Sequence, residues 1–420
     1  MFKYIFAFLS LLTFSASTWA IGSIIAAEVF GLVTAAGALT YAGMAAAFAI
    51  NMVASAIISK AFFSPPSYDT SGQSPNPGNR QQIPPATDNK LPVVYGSAWL
   101  GGTITDLSIT DDNQNMYFVL SLCEVTNTNA GQTPDTISFG NIYYGGKLVT
   151  FQSNGYTVAS LTDESTGEID TTVAGKIEIY LYSNGSQTPV NSTKSAIVVM
   201  SSSGLSYTWD ANKLMSNCAF AIVHLTYNRD ANITGLQQTK FNVINSRTDT
   251  GDCISDYLVN TRYGCAIPSA QINSTSLSAL TTYSNQSMTY TTYAGFLTTI
   301  TRFKFDGILD TTRTCMQNLQ DMASCCDCLL TYNEITAQWG VIVQQPTYSV
   351  VMDLNDSNII SALQVTPIDL AGSYNVIECK FPDNSNQDAF NSSTFDLAQI
   401  DPTLLYPNEP VNKMSISLPF

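Results

Sequence analysis

The sequence predicts a mainly β protein with small α/β parts, preceded by an apolar helical segment. Three observations carry that expectation. From Leu91 onwards, short runs rich in β-branched and aromatic residues alternate with turn signals. Only two stretches in that region show helical spacing with caps. The N-terminal part has a different texture altogether, and the 420 residues leave room for roughly two to four domains.

Taken in order, Met1 to Ala20 has Lys3 near its start, an apolar run Tyr4-Ile-Phe-Ala-Phe-Leu-Ser-Leu-Leu-Thr13, and a small-residue end at Ser17-Thr-Trp-Ala20. These are the three regions of a secretory signal. The apolar run resumes at Ile21 and continues to Phe63, with only Glu28 and Lys60 carrying charge. The interval between those two exceeds the roughly 20 residues that span a bilayer. Gly31, Ala35, Gly37, Gly43, Ala47 and Ala54 would let helix backbones approach closely. Residues 1–63 are therefore read as an apolar helical segment with three open readings. They are a signal followed by an anchor, a membrane-active segment held inside an assembly, or a helical plug packed among its own copies. Residues 64–89, with Ser64-Pro-Pro66, Ser71-Gly-Gln-Ser-Pro-Asn-Pro-Gly78 and Pro84-Pro85, form a linker.

Residues 90–250 read as the first β domains and 251–420 as α+β domains. Tyr117–Val125 and Ala219–Tyr227 are strands, and turns fall at Asp111-Asp-Asn-Gln-Asn115, Tyr144-Gly-Gly146 and Ser183-Asn-Gly185. One helix is expected from about Asp252 to Asn260, with Asp252 as N-cap and Ile254, Tyr257 and Leu258 facing inward. A second is expected from Asp310 to Ser324, with Asp310 as N-cap and Met316, Leu319 and Ala323 inward. A hairpin, Leu329–Tyr332 to Trp339–Val343, follows it.

Composition narrows the chemistry. The net charge is −15, with 17 Lys and Arg scattered along the chain, so no basic patch is available to neutralise a phosphate backbone. Nine cysteines at irregular spacing, several within apolar runs, read as buried reduced thiols rather than a disulfide framework. His224, the only histidine, shares a strand face with Phe220, Ile222 and Thr226 and reads as structural. Cys325-Cys-Asp-Cys328 with Cys315 is the one metal-like cluster, but a second separated pair is missing, so no metal is assigned. Asp111/Asp112 and Asp163/Glu164 follow no calcium-loop pattern and read as solvated turns. No phosphate-binding glycine loop occurs. Accordingly no catalytic, cofactor-binding or metal-ligating residue is assigned, and the expectation is a non-enzyme without cofactors.

Several local patterns stand in one particular order. They are Leu91-Pro-Val-Val-Tyr-Gly-Ser-Ala-Trp-Leu-Gly-Gly102, Asn115-Met-Tyr-Phe-Val-Leu-Ser-Leu-Cys-Glu124 and Ile142-Tyr-Tyr-Gly-Gly-Lys147. Then come Ile254-Ser-Asp-Tyr-Leu-Val-Asn-Thr-Arg-Tyr-Gly-Cys-Ala-Ile-Pro268 and Phe305-Asp-Gly-Ile-Leu-Asp-Thr311. Tyr374-Asn-Val-Ile-Glu-Cys-Lys-Phe-Pro-Asp383 and Met414-Ser-Ile-Ser-Leu-Pro-Phe420 close the series. The set resembles the tip attachment protein J family of lambda-like tailed phages, over roughly residues 90–420. Each piece alone is short; the shared order carries the resemblance.

That resemblance implies tail-tube-like β-barrel hub domains in a homotrimer around the tail axis. It implies a structural protein that closes the tail tube, organises assembly with the distal tail and tape-measure proteins, and relays host contact for genome ejection. The expected location is the tail tip of a virion assembled in the host cytoplasm. Family members continue past the last pattern into receptor-reading domains, whereas this sequence stops at Phe420, so receptor binding is expected of a separate protein. Residues 21–63 are the segment expected to meet the tail lumen or the host membrane. Two other readings stand beside this one. A secreted or membrane-anchored β-rich surface protein would have a mature N-terminus at Ile21 and oxidised cysteines, and a cell-wall hydrolase would depend on one specific acidic residue.

Overall fold

The computed structural model describes residues 82–83 and 89–420, apart from 203, 206–207, 292–296, 346–349, 351–352, 356, 360–373, 401–402, 404, 406–408 and 420. The expected apolar segment 1–63 and nearly all of the linker 64–89 lie outside the described residues. The described residues belong to the unit Gly72–Phe420. Among them, no helix is long and apolar enough to cross a membrane.

The fold is mainly β, as the strand runs predicted, with most of its short helices in the second half. Two six-stranded sheets lie at its centre. In the first, β4 (Asn115–Glu124) pairs antiparallel with β10 (Cys218–Thr226) and with β3 (Thr103–Ile109). It also meets β1 (Val93–Tyr95), which pairs on its other side with β14 (Gly307–Leu309). β9 (Ile177–Tyr182) closes the far edge against β10. The second sheet runs β2 (Ser97–Leu100), β11 (Thr239–Asn245), β5 (Ile137–Tyr144), β6 (Lys147–Phe151), β7 (Val158–Thr162), β8 (Ile169–Asp170). A separate antiparallel pair, β12 (Ser287–Thr291) and β13 (Leu297–Thr301), precedes β14 in the chain.

The period-2 rule explains how the central strands divide their side chains. On β10, Ala219, Ala221, Val223 and Leu225 join a core that also takes Leu100, Ile142 and Phe241 from the second sheet. The intervening Phe220 and Ile222 enter a separate cluster with Tyr180, Tyr182, Met200 and Trp209. A run that reads as uniformly apolar is thus a strand buried on both faces. Its second face is covered by α1 (Ala196–Val199), a single helical turn that sequence spacing did not suggest.

A third core gathers α2 (Thr250–Val259), α3 (Ser274–Ser284), α4 (Cys315–Cys325) and the hairpin β15 (Cys328–Asn333) and β16 (Gln338–Val343). The hairpin is the one expected from sequence. The caps differ from those expected. α2 starts two residues before Asp252, with Asp249 at the cap position and Asp252 in the first turn, where a carboxylate favours the helix dipole. α4 starts at Cys315, five residues after Asp310. Thr314 caps it, in a capping box with Gln317, while Asp310 Oδ1 accepts from Thr312 N at 2.8 Å to close the preceding turn. Met316 was expected to point inward but is 45% exposed; the buried stripe runs through Leu319, Met322 and Ala323. No sequence signal pointed to α3. Its Ser- and Thr-rich sequence has weak helical preference, and burial of Leu277 and Leu280 together with the Asn273 cap stabilises it. Replacing Thr314 with Ala is expected to cost about 1 kcal/mol in chemical denaturation, and Asp310→Ala should not reproduce a cap-loss effect on α4.

The last pattern region forms a three-stranded sheet, β17 (Val376–Asp383) between β18 (Ala389–Asp396) and β19 (Lys413–Ser417). The turn between β17 and β18 docks onto β2. Trp99 N donates to Asp388 Oδ2 at 2.9 Å, and Trp99 Nε1 donates to Asn384 O at 3.0 Å.

Candidate functional site: a polar junction between two cores

β1 is a wall shared by two cores. Val94 points into the sheet–sheet core, and its neighbours Val93 and Tyr95 point into the helical core. Where these cores meet, polar residues from widely separated sequence patterns converge. Tyr95, from the first pattern, donates its hydroxyl to Asp256 Oδ2 at 2.6 Å. Tyr263, from the pattern Arg262-Tyr-Gly264, donates to the same oxygen at 2.6 Å. Asn127 N donates to Asp256 Oδ1 at 3.1 Å and to the Tyr263 hydroxyl at 3.1 Å. Glu124, the end of the second pattern, accepts from Arg262 Nε at 2.5 Å. Asn260 Oδ1 accepts from the backbone N–H groups of Arg262 (2.9 Å) and Tyr263 (3.2 Å) and so shapes the loop that presents them.

Further charged and polar groups adjoin this cluster. Arg247 grips Asp135 with Nε at 2.7 Å and Nη2 at 3.2 Å, the two-pronged geometry that guanidinium offers a carboxylate. Asn245 bridges Val94 O (2.7 Å) and Thr126 Oγ1 (2.8 Å). Asn127, Asp135, Asn245 and Arg247 carried no sequence signal, because they pair with residues a hundred or more positions away.

Two glycines make the close approach possible. Gly96 has φ +64°, and a Cβ there would lie 2.0 Å from Phe305 O and 2.4 Å from Asp306 Oδ1. The Phe305-Asp-Gly pattern is therefore pressed against the first pattern, and Asp306 Oδ1 accepts from Ser97 N at 2.8 Å. At Gly264 a Cβ would lie 2.1 Å from Tyr257 O. Both positions need the missing side chain for space, and Gly96 needs it for conformation too.

The electrostatics follow from burial. Loss of water raises the Asp256 carboxyl above the usual range, although Tyr263, Tyr95 and Arg247 pull the other way. Burial likewise raises Glu124 against the pull of Arg262. Burial and the Asp256 carboxylate hold both phenols well above their ordinary value. Each acid here faces donors within the protein, so the arrangement acts as a joint that locks two cores together.

The other residues singled out by sequence lie elsewhere. His224 sits on β10 with Nδ1 2.9 Å from Glu178 Oε2 and Nε2 3.0 Å from Asn115 Oδ1, its ring stacked on Tyr117 at 4.2 Å between centroids. Its hydrogen bond lowers the Glu178 carboxyl, with Tyr180 as a further donor. Both ring nitrogens are thus occupied by side chains of the same sheet. Asp112 closes its own turn through Gln114 N, and Asp163 does so through Ser165 N, while Glu164 accepts from the Tyr143 hydroxyl at 2.6 Å. Cys315 and Cys325 stand at opposite ends of α4, about 15 Å apart for a helix of that length. Among the described residues no group of three or more His, Cys, Asp and Glu is placed to hold a metal ion.

No protein-family model matches the chain, and no curated protein matches it. Among solved structures, it is similar to a chain described as "Virion of native gene transfer agent (GTA) particle". The two share 9% sequence identity with a TM-score of 0.39, over 81% of this chain and 71% of that chain.

Proposed function

We propose that this chain is a structural virion protein, the hub at the tip of a long phage tail, and not an enzyme. The observation that supports this reading is the convergence at the polar junction. Patterns that resemble the hub family in sequence order also meet in space: Tyr95, Glu124, Asp256, Arg262 and Tyr263 form one joint.

In this reading the chain forms a homotrimer, closes the tail tube, and contacts the distal tail and tape-measure proteins. Residues 21–63 lie in the tail lumen or reach the host membrane during ejection. The test is mass spectrometry of purified virions together with electron microscopy of particles from a host expressing Arg262→Ala in place of the native chain. The expected result is the native chain in the tail fraction, and tails lost or unstable with the variant. Absence of the chain from virions would overturn the reading. Recovery from the cell envelope with an N-terminus at Ile21 would favour the surface-protein alternative.

A further inference from the structure

At the elbow between α4 and β15, two sulfurs are in contact. Cys326 Sγ and Cys328 Sγ are 3.5 Å apart, and both residues are buried, at 0% and 4% exposure. Asp327 between them has φ +53°, a left-handed turn that brings both side chains to the same side. The elbow is tied by Gln344 N donating to Asp327 O at 2.9 Å, and Cys326 Sγ donates back to Met322 O at 3.1 Å. Cys253, fully buried in the same core, supplies an internal comparison.

We infer that Cys326 and Cys328 form a reversible dithiol site whose co-reactant is a small-molecule disulfide of the glutathione class. The exchange has two steps. One protein thiolate attacks a sulfur of the external disulfide and expels one thiolate, leaving a mixed disulfide. The second cysteine then attacks the protein sulfur of that mixed bond and expels the other half. The two protein thiols lose two protons and two electrons in total, and the external disulfide becomes two thiols.

The sulfurs are already neighbours, so bond formation needs only a local closing to about 2.05 Å. Contact with Cys328 and burial hold the Cys326 proton firmly, which makes the closed elbow slow to react. Exchange therefore runs through opening of the elbow, where Ser324 and Asp327 are exposed. The chain would keep two thiols in a reducing compartment and gain a covalent clamp between α4 and β15 after transfer to an oxidising one. This site is independent of the tail-tip reading.

The test uses the full-length reduced protein, incubated folded with oxidised glutathione, then unfolded and alkylated, with peptide mass mapping over time. A peptide carrying both Cys326 and Cys328 should appear without the two alkyl groups that its reduced form takes up there, with Cys325 still alkylated, and should become alkylated at both when dithiothreitol is added first. Its thiols should disappear about ten-fold faster than that of Cys253. In Cys328→Ser, Cys326 should instead accumulate as the glutathione mixed disulfide. Recovery of both cysteines as alkylated thiols, or loss no faster than at Cys253, would overturn the assignment. The wild-type measurement decides this even if the variant fails to fold.

Discussion

Replacing Asp256 with Ala is expected to destabilise the full chain by roughly 3–5 kcal/mol, measured by chemical denaturation with tryptophan fluorescence. The size follows from what the carboxylate serves. Its removal leaves the Tyr95 hydroxyl without the partner it has at 2.6 Å, leaves Asn127 N without one of its two acceptors, and weakens the site of Tyr263. Tyr95 is 2% exposed and Tyr263 7% exposed, so water replaces those bonds poorly. Asp256→Asn should cost less, because the amide oxygen still accepts.

The wild type and Asp256→Asn also separate by pH. Burial raises the Asp256 carboxyl in the folded state above its unfolded value of about 3.9. A raised acid keeps its proton longer when folded than when unfolded. Its contribution to stability is therefore complete below the unfolded value and is lost as pH rises through the folded one. The amide of Asp256→Asn carries no titrating proton, so the stability difference should shift in favour of the variant as pH rises from about 4. A difference that stays flat with pH would mean that burial is not what governs this carboxyl.

Gly96→Ala should cost a similar amount, about 3–5 kcal/mol in the same denaturation assay. A left-handed backbone at φ +64° disfavours any Cβ, and this one would also lie 2.0 Å from Phe305 O. That carbonyl belongs to the segment leading into β14, so relief of the clash must loosen the pairing of Tyr95 with Gly307. Gly146→Ala is the internal control. It shares a positive φ of +81° but has nothing within 4 Å of the added Cβ, so the cost should be only about 1 kcal/mol. Equal effects at the two positions would show that conformation alone, not the close approach, makes Gly96 necessary.

The candidate site was only partly legible in the sequence. Its patterns flagged Tyr95, Glu124, Asp256, Arg262 and Tyr263 as parts of separate elements, and nothing in their spacing said that they touch. Their partner Asn127, and the adjoining Asp135, Asn245 and Arg247, were invisible, because a hydrogen bond between residues a hundred positions apart leaves no local trace. The Cys325–Cys328 run was visible as a cluster of thiols, but its spacing did not say that two of the sulfurs touch. What matters there is the left-handed Asp327, which turns Cys326 toward Cys328.

Local sequence signals suffice for the mainly β class, the strands Asn115–Glu124 and Cys218–Thr226, and the hairpin after α4. Each follows from alternation and turn chemistry, which act between near neighbours. The Thr314 cap of α4 is local as well, a capping box with Gln317 three residues on. Only long-range packing makes β1 a wall of two cores and turns a Ser- and Thr-rich stretch into the helix α3. The physical reason is shared: burial against distant partners outweighs local preference, since one buried leucine contributes more than several weak helix formers cost.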